Sequence, residues 1–186
     1  MQTYYPSLEA IHQQSMQLGG EQCKHCGQAH QLVSHGFIRK KQPGMRDPQS
    51  VGKRVFCSNR HHRTGCGRTM QLYLDSTVRY MHYAGAAVVV FVLLLLTGAS
   101  ITLAYTQVTN AQTPRHAYRW LQRLHANMSV YRSLVHQPPL DQPTDPGSRP
   151  QSSRLRLLNS TFSALLGRFK QPLCRSYQSQ LQRQFF

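Results

Sequence analysis

Four cysteines have the spacing to act together: Cys23, Cys26, Cys57 and Cys66. Cys23 and Cys26 stand in Cys-Lys-His-Cys-Gly, the tight Cys-x-x-Cys spacing of a zinc knuckle, while Cys57 and Cys66 are separated by residues 58–65. In each pair glycine follows the later cysteine, as Gly27 and Gly67. A knuckle turns backbone N–H groups toward its sulfurs, and glycine takes the positive φ this requires without a Cβ clash. Two pairs sharing that detail read as halves of one tetrahedral, all-cysteine site for a single structural Zn2+. His61 and His62 lie inside the second pair, and either could replace Cys66, since imidazole binds zinc as readily as thiolate. The repeated Cys-Gly favours Cys66. Four cysteines also allow three disulfide pairings. Residues 1–20 carry neither the basic nor the apolar stretch of a secretory signal, which argues against an oxidising compartment.

The charge balance names a partner class. Across 186 residues, 22 Lys+Arg face 6 Asp+Glu, a formal net charge of +16. That excess predicts attraction to a polyanion, nucleic acid first and an anionic membrane second. The acidic residues are Glu9, Glu21, Asp47, Asp75, Asp141 and Asp145, scattered without a cluster. Two-metal phosphoryl transfer needs converging carboxylates, so a nuclease or transposase active site is not expected and the chain reads as non-enzymatic. Arg39, Lys40 and Lys41 open a Pro-Gly loop over 39–44, and Lys53, Arg54, Arg60, Arg63 and Arg68 follow. Some of this charge offsets four thiolates. The remainder favours phosphate contact, with Arg39, Lys40, Lys41, Lys53 and Arg54 as the gripping residues.

Elements must hold these residues in place. Leu8, Ile11, Ser15 and Leu18 fall near helical spacing, and Gly19-Gly20 ends that helix. Strands are expected over 31–38, 53–56 and 69–74, where Met70, Leu72 and Leu74 alternate. Three short strands around two knuckles make a zinc ribbon, whose core is too small to fold without metal.

Residues 84–96 then form an apolar run within an uncharged stretch from 83 to 107. A membrane span needs about 20 apolar residues, and this run is shorter. It is expected instead as a helix buried on all sides, covered by the C-terminal helices. Ser100 can cap a second helix over 101–108. Thr113 is placed as N-cap and Pro114 at the first position of a third helix over 114–135. Ala117, Leu121, Leu124 and Met128 share one face of it, and Arg115, Arg119, Gln122 and Arg123 gather opposite. Such a helix after a short helix and turn reads as a helix–turn–helix whose arginine face meets DNA. Trp120 and Tyr118 border the faces as core or rim.

Five segments result: an N-terminal helix over 1–22, the ribbon over 23–79, the helix–turn–helix over 80–136, a Pro-rich linker over 137–153 and a C-terminal helix pair over 154–186. In the pair, Leu155, Leu158, Phe162, Leu165 and Phe169 make one stripe and Leu173, Tyr177, Leu181 and Phe185 another. Cys174 reads as a buried free thiol. The fold class is α+β.

The order Cys23-x-x-Cys26-Gly27, Arg54-Val55-Phe56-Cys57 and Cys66-Gly67-Arg68-Thr69, followed by a helix–turn–helix, resembles the zinc-ribbon DNA-binding region of bacterial insertion-sequence transposases. It is most similar to the small accessory protein of the insertion-sequence-one family, over residues 23–125. The wide second pair and the added C-terminal helices depart from that pattern. The resemblance implies a cytoplasmic, nucleoid-associated protein that binds double-stranded DNA at the ends of a mobile element and assists or represses a separate transposase, possible as a homodimer. Two other classes remain open: a basic zinc-ribbon protein that binds RNA or ribosomes, and a membrane-anchored basic protein.

Overall fold

Four strands make one sheet in the spatial order β1-β4-β3-β2, with β1 (Tyr4–Tyr5), β2 (Leu32–Lys40), β3 (Gln49–Cys57) and β4 (Thr69–Leu74). The pairs β2–β3 and β3–β4 are antiparallel, and β1 lies parallel to β4. The chain is seen in a computed structural model that describes residues 2–41, 46–111, 113–136 and 153–186. Seven helices follow or flank the sheet among these residues, giving a mixed α+β fold. The expected linker lies outside the described residues apart from Ser153, as do Gln42, Pro43 and Gly44 of the expected basic loop.

The chain divides into two units: residues 1–85 with 174–185, and residues 86–173 with 186. In the first unit, α1 (Leu8–Met16) starts at Ser7, whose side chain accepts a hydrogen bond from Ala10 N, satisfying one of the free N–H groups of a helix start. Ile11, Leu18, Val55, Met70 and Leu72 bury together against Cys23 and Cys57. The core is therefore continuous with the cysteine cluster.

The C-terminal helix α7 (Leu173–Leu181) belongs to this unit from Cys174 onward. Gln178 Nε2 donates to the carbonyls of Asp75 and Thr77, at 2.7 and 3.0 Å, and Gln178 Oε1 accepts from Phe185 N. Gln182 Oε1 accepts from the N–H groups of Thr3 and Tyr4. Arg175 pairs with the buried Asp75 at 3.0 Å. Burial pushes the Asp75 carboxyl up, and Arg175 opposes it. Backbone groups beyond the edge of the small sheet thus find partners from the far end of the chain.

In the second unit, the helices are α2 (Gly85–Leu96), α3 (Ile101–Thr109), α4 (Arg115–Ala126), α5 (Met128–Val135) and α6 (Ser153–Arg168), with Gly85 itself in the first unit. Ser100 caps α3 as expected, accepting from Leu103 N. Phe91 of α2 meets Tyr105 and Trp120 edge-on, with ring centroids 6.4 and 5.4 Å apart, an arrangement aromatic quadrupoles favour. The apolar α2 is not covered on all sides: Val90 is 46% exposed. Among the described residues no helix is long and apolar enough to cross a membrane.

One expectation is corrected here. The helix expected over 114–135 is two helices, broken at Asn127 (φ −91°, ψ 0°), whose side-chain amide donates to Arg123 O. Asn127 competes for the helix's own carbonyl, the reason asparagine favours helix ends. In the same unit α6 packs on α5, with Tyr131 and Phe162 edge-on at 6.4 Å.

Candidate metal centre

The two knuckles share one backbone frame. In the first, Gly27 N donates to Cys23 O at 2.8 Å and Cys23 N donates to Gln28 O at 3.0 Å. In the second, Gly67 N donates to Cys57 O at 2.9 Å and Cys57 N donates to Arg68 O at 2.9 Å. Both glycines sit in the left-handed region, φ 73° and 72°, a conformation that disfavours a Cβ. Gln28 and Arg68 each stand two residues after the later cysteine, so the frames match residue for residue.

The wider gap of the second knuckle is an excursion pinched at its base. Gly65 N donates to Ser58 O at 2.8 Å, and Cys66 N donates to Cys57 Sγ at 3.3 Å. A Cβ on Gly65 would lie 2.3 Å from Ser58 O and 2.7 Å from Cys57 Sγ. Gly65 is therefore a structural requirement of the site that cysteine spacing and the Cys-Gly pairs do not reveal; its one signal is a glycine directly before Cys66.

The tip of the excursion is a β-turn. Arg63 N donates to Arg60 O at 3.2 Å, with His61 and His62 at φ 53° and 65° between them. That is the signature of a type I′ turn. Both imidazoles are exposed. Arg63 Nη1 donates to His30 O and Thr64 N to Gln31 Oε1, tying the excursion to the segment before β2.

This frame brings the four sulfurs together. The ligand atoms of Cys23, Cys26, Cys57 and Cys66 all lie within 4.8 Å of one another and could hold a metal ion. Cys23 and Cys57 are buried, and Cys26 and Cys66 are exposed, so each knuckle contributes one inner and one outer thiol. Burial pushes the Cys23 thiol up, but the N–H groups of His25 and Cys26 and the neighbouring thiols outweigh it and bring it down to about 7. Burial carries Cys57 up to about 12; the Cys66 N–H opposes the rise and the other thiols add to it. The thiolate is the form in which cysteine binds metal, and the His25 and Cys26 N–H groups favour it at Cys23. No family model, curated protein or solved structure matches this chain.

The basic residues expected to grip phosphate fall into two groups. Arg39, Lys41 and Arg54 are exposed. Lys40 and Lys53 are not free for that role, and both assignments are corrected. The Lys53 ammonium is buried, donates to Ser15 Oγ at 2.7 Å and lies 5.4 Å from the centre of the Phe37 ring. Lys53 shares the inward face of β3 with Val55 and Cys57, as the two-residue period of a strand requires. Lys40 is the last residue of β2 rather than part of a loop, and its ammonium donates to the carbonyls of Val78 and Met81. Burial, with Arg79 adding to it, pulls the Lys40 amine down to about 8.

On α4 and the start of α5 the expected core face is present in part: Ala117, Leu124 and Met128 are buried, but Leu121 is only half-buried and Trp120 takes a core place. Ala117, Trp120 and Leu124 are buried, while Arg115, Arg119, Gln122 and Arg123 lie outside that buried set. Trp120 is core, and Tyr118 is 57% exposed. The helix starts at Arg115 with Pro114 as its cap, one residue later than expected. Cys174 is buried, and burial raises its thiol to about 12.

Proposed function

We propose that the protein is a non-catalytic, zinc-stabilised protein that binds double-stranded DNA through the arginine face of α4. The observation that carries this is the set Arg115, Arg119, Gln122 and Arg123, placed opposite buried Ala117, Trp120 and Leu124 on a helix that follows α3 after a short connection. A recognition helix needs one face for the core and one for base edges. The net charge of +16 supplies the sequence-independent attraction to phosphate. By its resemblance to insertion-sequence accessory proteins, the DNA is the end of a mobile element, on the nucleoid, and the partners are a separate transposase and, in the dimeric case, a second copy of this chain.

Zinc is the metal we propose for the four cysteines. With Zn–S bonds of about 2.3 Å, tetrahedral sulfurs stand about 3.8 Å apart. Cys23 and Cys66 Sγ are 3.7 Å apart and Cys26 and Cys57 Sγ are 3.8 Å apart. Both close contacts cross from one knuckle to the other, as a shared ion would hold them. Four thiolates leave no open position, so the ion's role is structural.

The test is selection of duplexes from a random pool, followed by titration of the selected and scrambled duplexes across salt. Arg119→Ala or Arg123→Ala should cost about 1–3 kcal/mol on the selected duplex and flatten discrimination. Equal weakening on both duplexes with a shallower salt slope would make that arginine a backbone contact. If none of Arg115, Arg119 and Arg123 matters, the DNA-reading helix is elsewhere and this function fails.

A further inference from the structure

The sheet of the first unit has two faces, and α1 covers one. Val55, Met70 and Leu72 are buried on that side with Ile11 and Leu18. Strand alternation places Arg54, Phe56 and Gln71 on the other. Arg54 stands directly opposite Gln71, and Phe56 opposite Thr69. Arg54 is exposed, and Phe56 and Gln71 are half-buried. Around Phe56, the His35 ring lies 5.7 Å away and the Arg60 guanidinium 5.8 Å from the ring centre.

Toward the other end of β4 the same face is covered, with Tyr73 buried among Tyr4, Ile38 and Val51, and a second aromatic platform stands beside it. The Arg79 guanidinium lies 5.4 Å from the Tyr73 ring and 5.3 Å from the Tyr80 ring, and donates to Gln71 Oε1 at 3.0 Å. Tyr80 is 76% exposed and holds φ 61°. A left-handed backbone is unfavourable for a bulky residue, and displaying the ring to water adds nothing to folding. Beside it a cleft of ≈ 490 Å³ is lined by Lys24, His25, Thr69, Gln71, Arg79 and Tyr80 among others, a size typical of small-molecule sites. Among the described residues no carboxylate lines it.

We propose that the open end of this sheet face and the cleft beside it bind a strand of unpaired nucleotides, with bases stacking on Phe56 and Tyr80 and phosphates meeting Arg54, Arg60 and Lys24. The chemistry selects this ligand over a duplex. Two separated aromatic platforms, each with a guanidinium against it, offer π-faces that only unstacked bases can use. The cationic groups beside them, with no opposing carboxylate in the cleft, match a phosphate chain. The site lies on the first unit and does not depend on α4, so it goes beyond the duplex reading and stands or falls separately.

The experiment titrates labelled strands of about 10 deoxythymidines or uridines, within the usual single-strand site size, against the full chain with metal content checked for each variant. Tyr80→Ala and Phe56→Ala should each weaken binding about tenfold, while Tyr80→Phe and Phe56→Tyr retain it. Arg54→Gln should weaken binding and lower the salt slope by about 0.7. Tighter binding of one sugar type assigns the strand to DNA or RNA and supports the site either way. Alanine variants that keep their metal and bind strands like the parent protein overturn the proposal. So does an equal loss on strand and blunt duplex for Tyr80→Ala, since stacking on an intact duplex is not available.

Discussion

The first knuckle closes over Lys24 and His25, and the second closes over residues 58–65, yet the hydrogen bonds that define them are the same. Each earlier cysteine gives its carbonyl to the glycine after the later cysteine and its N–H to the carbonyl beyond that glycine. The knuckle is therefore a closing geometry and not a fixed count of residues. The chain can leave that frame and return, provided the exit and entry are pinched as Ser58 and Gly65 are. The difference is where each knuckle is vulnerable: the first at its sulfurs alone, the second at its sulfurs and at the pinch.

The largest effect should come from the metal. If the knuckles are equivalent halves of one site, Cys26→Ser and Cys66→Ser should each abolish tight zinc binding, measured by metal analysis of purified protein. Structural zinc contributes about 10–16 kcal/mol in small domains, far more than so small a core can replace. Chelation should then unfold the sheet while Trp120, packed on Phe91 and Tyr105 in the second unit, keeps its buried fluorescence. A Cys66→Ser protein that holds its metal, and loses it on His61→Ala or His62→Ala, would break the equivalence.

Next comes the pinch. Gly65 and His25 occupy matching places, each directly before the later cysteine. Gly65→Ala should destabilise the first unit by about 3 kcal/mol or more, because its Cβ would meet backbone and a ligand sulfur that cannot move aside. His25→Ala, at an exposed position, should stay within about 0.5 kcal/mol of the parent. Denaturant midpoints of the zinc-loaded proteins compare the two. Equal effects would mean that the second knuckle tolerates a wider exit than the hydrogen bonds allow.

How far these features can be read from the sequence depends on the range of the forces involved. The four cysteines are legible because ligand chemistry fixes their type and repeats Cys-Gly, and β4 is legible from the alternation of Met70, Leu72 and Leu74. The cap at Ser100 is equally local. The charge of Lys53 suggests an outward side chain, yet its alternation with Val55 and Cys57 along the strand puts it inside. Tyr4–Tyr5 is too short a strand to have a period, and β4 alone makes it one. The break at Asn127 adds a single competing amide to an otherwise unbroken helical pattern. Nothing local distinguishes Gln178 and Gln182 from the other glutamines near the C-terminus, although their side chains bind backbone about 100 and 178 residues away. On α4 sequence and structure agree on part of the core face, and a DNA-reading role for the arginines is a matter for binding measurements.

The smallest effect should come from the tip of the excursion, which the first knuckle lacks altogether. His61 and His62 hold the two left-handed positions of the turn between Arg60 and Arg63. A side chain in that region is disfavoured by roughly 1–2 kcal/mol against glycine, and the type I′ turn is best made by Asn-Gly. The double replacement His61→Asn, His62→Gly should therefore raise stability by about 1 kcal/mol, read as a higher denaturant midpoint with unchanged slope. Zinc stoichiometry should not change, because both imidazoles are exposed at the far side of the pinch from the sulfurs. A gain in stability with metal retained would show that the second knuckle is the first with a separable loop inserted. A loss of metal would show that the excursion takes part in the site, and the two knuckles would then differ in chemistry as well as in length.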